Sequence, residues 1–227
     1  MIKTSTQTIT ALSRTLALAL IGSLLALALF PAIEPSFLVA ATATDEVVVT
    51  LNVGAGISIT SPADATMSTT IGISTTKAIA TTTWNVKTNN AAGYTLALKS
   101  ATSSTPAMKQ DSDNTKVIAD NTAGVTTPAL WGSMGANTAE FGYSGYGTDV
   151  TTATYGSDSS CGATSTPSTA LKYTSLRTTD RTLASRSSTT TAAGVDTVAC
   201  YAVEQGSNFF IASGTYTATV TATATTQ

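Results

Sequence analysis

The sequence predicts an all-β fold: an antiparallel β-sandwich of Ig-like or jelly-roll-like architecture, with about seven to ten strands, preceded by a signal-peptide helix. Three observations predict it. Threonine supplies 48 of the 227 residues, and a β-branched side chain suits a pleated, half-buried surface better than a helix. Several segments alternate apolar and polar residues with a period of two, which sends one set of side chains to a core and the other to solvent. Beyond the N-terminal segment no stretch carries a helical apolar stripe, and strands without crossover helices must bury a face against another sheet.

Composition narrows the function. Only 11% of the residues are charged and the net charge is -2, against about 25% charged in an ordinary globular chain. A protein that binds nucleic acid neutralises phosphates with clustered Lys and Arg, so no nucleic-acid partner is expected. The chain has no histidine, which removes the commonest general base and the commonest metal ligand, and with them His-dependent triads and the usual zinc sites.

Residues 1–43 have the layout of a secretory signal. Lys3 and Arg14 precede an uncharged run from Leu16 to Phe30, and Ala41-Thr42-Ala43 offers small residues at the cleavage spacing. Cleavage there places the mature start near Thr44; a cut after Ala41 fits as well. The competing reading is an uncleaved membrane anchor, but 15 apolar residues fall short of the roughly 20 that a spanning helix needs. The C-terminal Thr-Ala-Thr-Ala-Thr-Thr-Gln shows neither a wall-sorting signal nor a hydrophobic tail, so surface attachment is expected to be non-covalent. Residues 44–227 are expected to form a single domain. Export would let the only two cysteines, Cys161 and Cys200, pair as a structural disulfide rather than remain buried thiols. They lack the Cys-x-x-Cys spacing of exchange chemistry.

Within that domain, Val47, Val49, Leu51 and Val53 read as the inward face of a first strand. Ile57 and Ile59 continue it past a bulge or sheet switch at Gly54-Ala55-Gly56. Trp84 and Val86 share a face of the next strand. Asn89-Asn90-Ala91-Ala92-Gly93 supplies a turn, and Tyr94, Leu96 and Leu98 follow on a strand expected to complete a hairpin. Residues 100–124 and 151–169 read as loops. Trp131, Phe141, Tyr143 and Tyr146 are assigned to the core rather than to a ligand platform, because aromatics are scarce here. Lys172, Arg177, Arg181 and Arg186 read as a solvated basic face rather than an anion site. Val198, Cys200 and Ala202 share a face of a late strand. In the last strand Thr215 to Thr225 alternate with Tyr216, Ala218, Val220, Ala222 and Ala224.

Chemistry is nearly present in two places. Ser74-Thr75-Thr76-Lys77 and Ser112-Asp113-Asn114 match two motifs of penicillin-recognising serine enzymes, but the third element is only Lys87-Thr88-Asn89 and lies out of order, which marks a chance match. Asp111, Asp113 and Asp120 offer hard oxygen ligands for a calcium ion, yet without the acid count or terminal Glu of a calcium loop. Solvated carboxylates are the expectation, with no metal and no cofactor.

Three stretches carry a resemblance. Trp84-Asn85-Val86, the run from Asn89 to Leu96 containing Gly93-Tyr94-Thr95-Leu96, and Gly214-Thr215-Tyr216 through Val220-Thr221 resemble bacterial exported β-sandwich proteins of the WxL-like kind. Val86 stands where the usual pattern has Leu, and Ala222 where it has a second Trp. Members of that family bind the cell wall without covalent linkage, so the resemblance implies a surface role, with cell-wall glycan or other surface proteins as partners. The expected function is thus a non-enzymatic, secreted or cell-surface structural or adhesive module. The alternative is a fibre or pilus-type subunit that self-associates by exchanging Asp45–Val53 or Thr215–Thr225 at exposed sheet edges. Ice or carbohydrate binding by the threonine ladder is a third class, and a membrane partner arises only if the leader is retained.

Overall fold

The computed structural model describes residues 45–102, 104–132 and 134–227. The expected signal segment lies outside them. The compact unit spans Asn52–Gln227. In chain order it contains β1 (Ile57–Thr60), β2 (Lys77–Thr88), β3 (Tyr94–Ser100), β4 (Met108–Gln110), β5 (Val117–Asp120), β6 (Ala129–Leu130) and β7 (Ala139–Gly147). One helical turn, α1 (Thr152–Tyr155), leads to β8 (Gly162–Ala163), β9 (Thr166–Pro167), β10 (Lys172–Tyr173), β11 (Arg181–Arg186), β12 (Val195–Gln205), β13 (Tyr216–Thr217) and β14 (Val220–Thr226).

The fold is therefore nearly all β. A seven-stranded sheet runs β1-β2-β12-β7-β5-β4-β13, a three-stranded sheet runs β11-β3-β14, and β6–β10 and β8–β9 form small two-stranded pairs. Pairing is antiparallel except between β5 and β7, which are parallel, so the large sheet is mixed. Among the described residues fourteen strands stand where seven to ten were expected; the surplus comes from short strands inside the two sections read as loops, where turn-rich composition masks pieces too brief to show a period.

β12 lies between β2 and β7 at the middle of the large sheet. Its period-two pattern is apolar on both sides, and it feeds two cores. Ala199, Tyr201 and Val203 enter the main core, where they meet Val86 of β2, Phe141 and Tyr143 of β7, and Tyr94, Leu96, Leu98 and Leu183 from the three-stranded sheet. Cys200 and Ala202 point the other way, into a second cluster with Ile79, Cys161, Leu171 and Tyr173, against which Trp131, Tyr146 and Val198 pack. The aromatics assigned to the core are thus structural, with Phe141 stacked on Tyr201 at 6.4 Å and Trp131 edge-on to Tyr173 at 4.9 Å. Room for Trp131 comes from Gly142, where a Cβ would lie 3.2 Å from the indole ring and 2.9 Å from Asn121 Cβ.

Three expectations are corrected. Residues 45–56 form no strand, and Val47, Val49, Leu51 and Val53 are 82%, 89%, 83% and 74% exposed, so they are no inward face. Alternation specifies a strand that has a partner; it does not supply the partner. The expected Trp84–Leu98 hairpin does not form either. β2 pairs with β1 and β12, whereas β3 pairs with β11 and β14. The Asn-Asn-Ala-Ala-Gly turn instead carries the chain from one sheet to the other, with Gly93 at φ 85° and a Cβ there 1.9 Å from Arg186 O. The last alternating stretch, finally, is not one strand: β13 pairs with β4 and β14 with β3. Its alternation persists across the break, with Tyr216, Val220, Ala222 and Ala224 half-buried, but the threonine ladder is split between two sheets.

Cys161 and Cys200 are bonded across 39 residues, which ties the α1–β10 segment to the central strand. In the chain-entropy model, closing that loop removes about 4 kcal/mol of unfolded-state freedom. The double variant Cys161→Ala/Cys200→Ala should lose stability of that order in a denaturant melt; an unchanged midpoint would contradict it.

Burial is the leading cause that pushes the phenols of Tyr94, Tyr143, Tyr155, Tyr173 and Tyr201 up. A raised folded pKa means that these rings stabilise the fold in their neutral form, fully below the unfolded value of about 10, and that the contribution is lost as pH rises beyond it. Thermal stability should collapse above about pH 10, with phenolate absorbance rising together with unfolding. Ionisation of these five phenols near pH 10 without unfolding would contradict the assignment.

Candidate functional site

Lys77, Asp111, Asp113 and Asp120, singled out from sequence, are committed to structural bonds. Lys77, the last residue of the Ser-x-x-Lys match, opens β2 and pairs with Glu204 at 3.2 Å. Trp131 Nε1 donates to the same carboxylate at 2.6 Å. Ser74 lies exposed before β2, whereas Ser112-Asp113-Asn114 forms the β4–β5 turn. There Asp113 accepts from Thr115 N and Oγ1 at 3.0 and 2.6 Å, which holds its carboxyl below the usual range. The two motifs thus sit on separate elements with different partners.

The proposed calcium ligands are distributed along that same hairpin. Asp111 follows β4 and accepts from Thr217 Oγ1, while Asp120 closes β5 and accepts from Ala107 N at 3.2 Å. Among the described residues no group of three acidic, Cys or His side chains is placed to hold a metal. The basic series is spent too. Lys172 Nζ donates to Ala153 O at 2.8 Å, Arg177 and Arg181 donate to Val125 O, and Arg186 pairs with Asp149 at 3.2 Å. Arg181 edges a cleft of about 420 Å³ lined mostly by Thr126, Thr127, Thr151, Thr154 and Tyr155, with no nucleophile–base pair among its lining residues.

The residues carrying the family resemblance divide between core and edge. Val86, Tyr94 and Leu96 are fully buried, and Tyr94 OH donates to Asp149 at 2.8 Å. Trp84, Tyr216 and Val220 are half-buried against the same core. Two buried trios escaped sequence reasoning: Glu204 with Lys77 and Trp131, and Asp149 with Tyr94 and Arg186. Their members lie 37 to 127 residues apart in part, and nothing local signals such pairings.

What remains functionally unspent is surface. The segment Val47–Val53 is an exposed, charge-free, alternating apolar run. β1 lies at one edge of the large sheet, and β11 and β14 at the edges of the small one. A second cleft of about 640 Å³ lies beside β1, between Lys87–Asn89 and Thr189–Ala192. Of the two terminal stretches expected to donate strands, Thr215–Thr225 is already paired through β13 and β14; Asp45–Val53 lies in no ladder.

Burial raises the Asp120 carboxyl pKa, so the folded chain favours the protonated acid. That contribution is present below the unfolded value of about 4 and is lost as pH rises through the folded one, which leaves charged Asp120 a cost at neutral pH. Asp120→Asn keeps the acceptor for Ala107 N and should raise the melting temperature at pH 7, with the gain shrinking toward pH 3; a loss at pH 7 would point to a needed carboxylate. Comparison of the chain with protein-family models, curated proteins and solved structures gave no match.

Proposed function

We propose that the protein is an exported, non-enzymatic structural or adhesive module of the bacterial cell surface. The observation that carries this reading is the Cys161–Cys200 bridge, which requires an oxidising compartment to persist. It agrees with the export signal expected in residues 1–43. The engagement of Lys77, Asp111, Asp113 and Asp120 in hydrogen bonds or ion pairs that hold the fold supports the non-enzymatic part.

In this reading the seven- and three-stranded sheets act as the two layers of a sandwich around the main core, as in the WxL-like proteins that the Trp84, Tyr94 and Tyr216 stretches resemble. Cell-wall glycan or other surface proteins are then the partners, met by a thinly charged, hydroxyl-rich exterior. A second reading, the self-assembling subunit, is favoured by one specific observation: the Val47–Val53 segment is exposed in a protein whose sheets have open edges.

Fractionation of producing cells with successive salt and detergent washes tests the proposal. The expected result is oxidised protein in the medium or released from the cell surface by salt. Recovery only with detergent would replace wall attachment by a retained leader, and recovery in the cytoplasm with both thiols free would overturn export altogether.

A further inference from the structure

The main core is sealed on one side and open on the other. Leu96, Leu98 and Leu183 are at most 1% exposed, whereas Ile57 and Ile59 of β1 and Val220, Ala222 and Ala224 of β14 only half-cover the same core. β1 and β14 run close together there, yet no ladder joins them. Parity shows where their backbone groups point, because in an antiparallel ladder the N–H and C=O of one residue face the same side. Thr219 O and Gln227 N bond toward β3, so Val220, Ala222, Ala224 and Thr226 turn theirs to the open side. Gly56 bonds to Asn89, so Ile57 and Ile59 turn theirs into the same seam. Among the described residues, two rows of peptide groups without a strand partner thus border the half-covered side of the core, the condition under which an edge accepts another strand.

We propose that Val47–Val53 of a second copy of this chain fills the seam as an added strand. This rests on the reading of the protein as a structural module and names its partner. The segment has seven residues, as has β14. Its period of two sends Val47, Val49, Leu51 and Val53 toward the core past the small Ala222 and Ala224, and leaves Val48, Thr50 and Asn52 outside. The donor is intermolecular because its own exit is held straight: the Asn89 amide accepts from Gly56 N at 2.6 Å and donates to Gly54 O at 2.9 Å. Neither glycine adopts the left-handed backbone that a tight reversal onto β1 would use. Insertion sets the flanking strands about 9 to 10 Å apart, twice the spacing of paired strands, so β1, bonded only to β2, moves outward.

Light scattering with size-exclusion chromatography on protein purified after export tests this, using wild type, Leu51→Lys and Ala222→Pro. Leu51 is exposed, so the lysine spoils the donor without touching the fold. Proline at 222 removes only an N–H that faces the seam and leaves the β14–β3 ladder intact. Wild type is expected to assemble in a concentration-dependent way and each variant alone to stay monomeric. An equimolar mixture of the two should form a dimer, since Ala222→Pro still donates and Leu51→Lys still accepts; this outcome does not require the proline domain to fold. A monomeric wild type at every concentration, assembly of either variant alone, or no dimer in the mixture would overturn the proposal. A monomeric protein found on the cell surface would still leave the structural role standing.

Discussion

The fold depends on β12 being buried on both faces. A strand with one wet face needs a single core; β12 sits mid-sheet with Ala199, Tyr201 and Val203 in one cluster and Cys200 and Ala202 in the other, so everything around it must supply cover twice. The three-stranded sheet covers one face. The segment from Cys161 to Tyr173, with Trp131, covers the other, and the disulfide fastens that cover to the strand it protects. The glycines of β7 follow from the same demand: a Cβ at Gly145 would meet Leu183 at 2.7 Å on the main-core side, while Gly142 makes way for Trp131 on the opposite one.

Scarce charge shapes the rest. With 24 formal charges in the whole chain, 11 basic and 13 acidic, the acids that do enter the interior arrive with partners. Glu204 and Asp149 have side chains only 9% and 7% exposed, and each holds both a cation and an aromatic donor. Removing one partner from such a group leaves an uncompensated charge and costs about 3 to 5 kcal/mol, so these trios fix which strands may neighbour one another. The exterior is left to hydroxyls, which bond locally and steer no charged ligand over distance.

Much of this was legible in the sequence, and the misses have a common cause. Period-two patterns located β2, β3, β12 and the inward residues of β13 and β14, and an even cysteine count in a chain expected to be exported identified the bridge. Pattern reports which way a side chain points, never which strand lies next door. Hence Trp84–Val86 and Tyr94–Leu98 were joined in a hairpin, although the turn between them crosses from one sheet to the other. The break at Ala218–Thr219 is invisible because a residue pair that changes sheets keeps its alternation. Val47–Val53 carries the pattern of an inner strand yet is exposed, because alternation does not supply a partner. The short strands β4 and β5 were hidden by the polar composition of their surroundings, and the buried acids by the distance in sequence to their partners.

Native-state hydrogen exchange across the whole chain tests the central role of β12 most directly. Its amides bond alternately to β2 and β7 beneath two apolar covers, so they should be the last to exchange, opening only with global unfolding, while β1 and β11 exchange through smaller local openings. Exchange of β12 amides ahead of those in β3 or β11 would contradict the account, because the domain would then be organised around the smaller sheet.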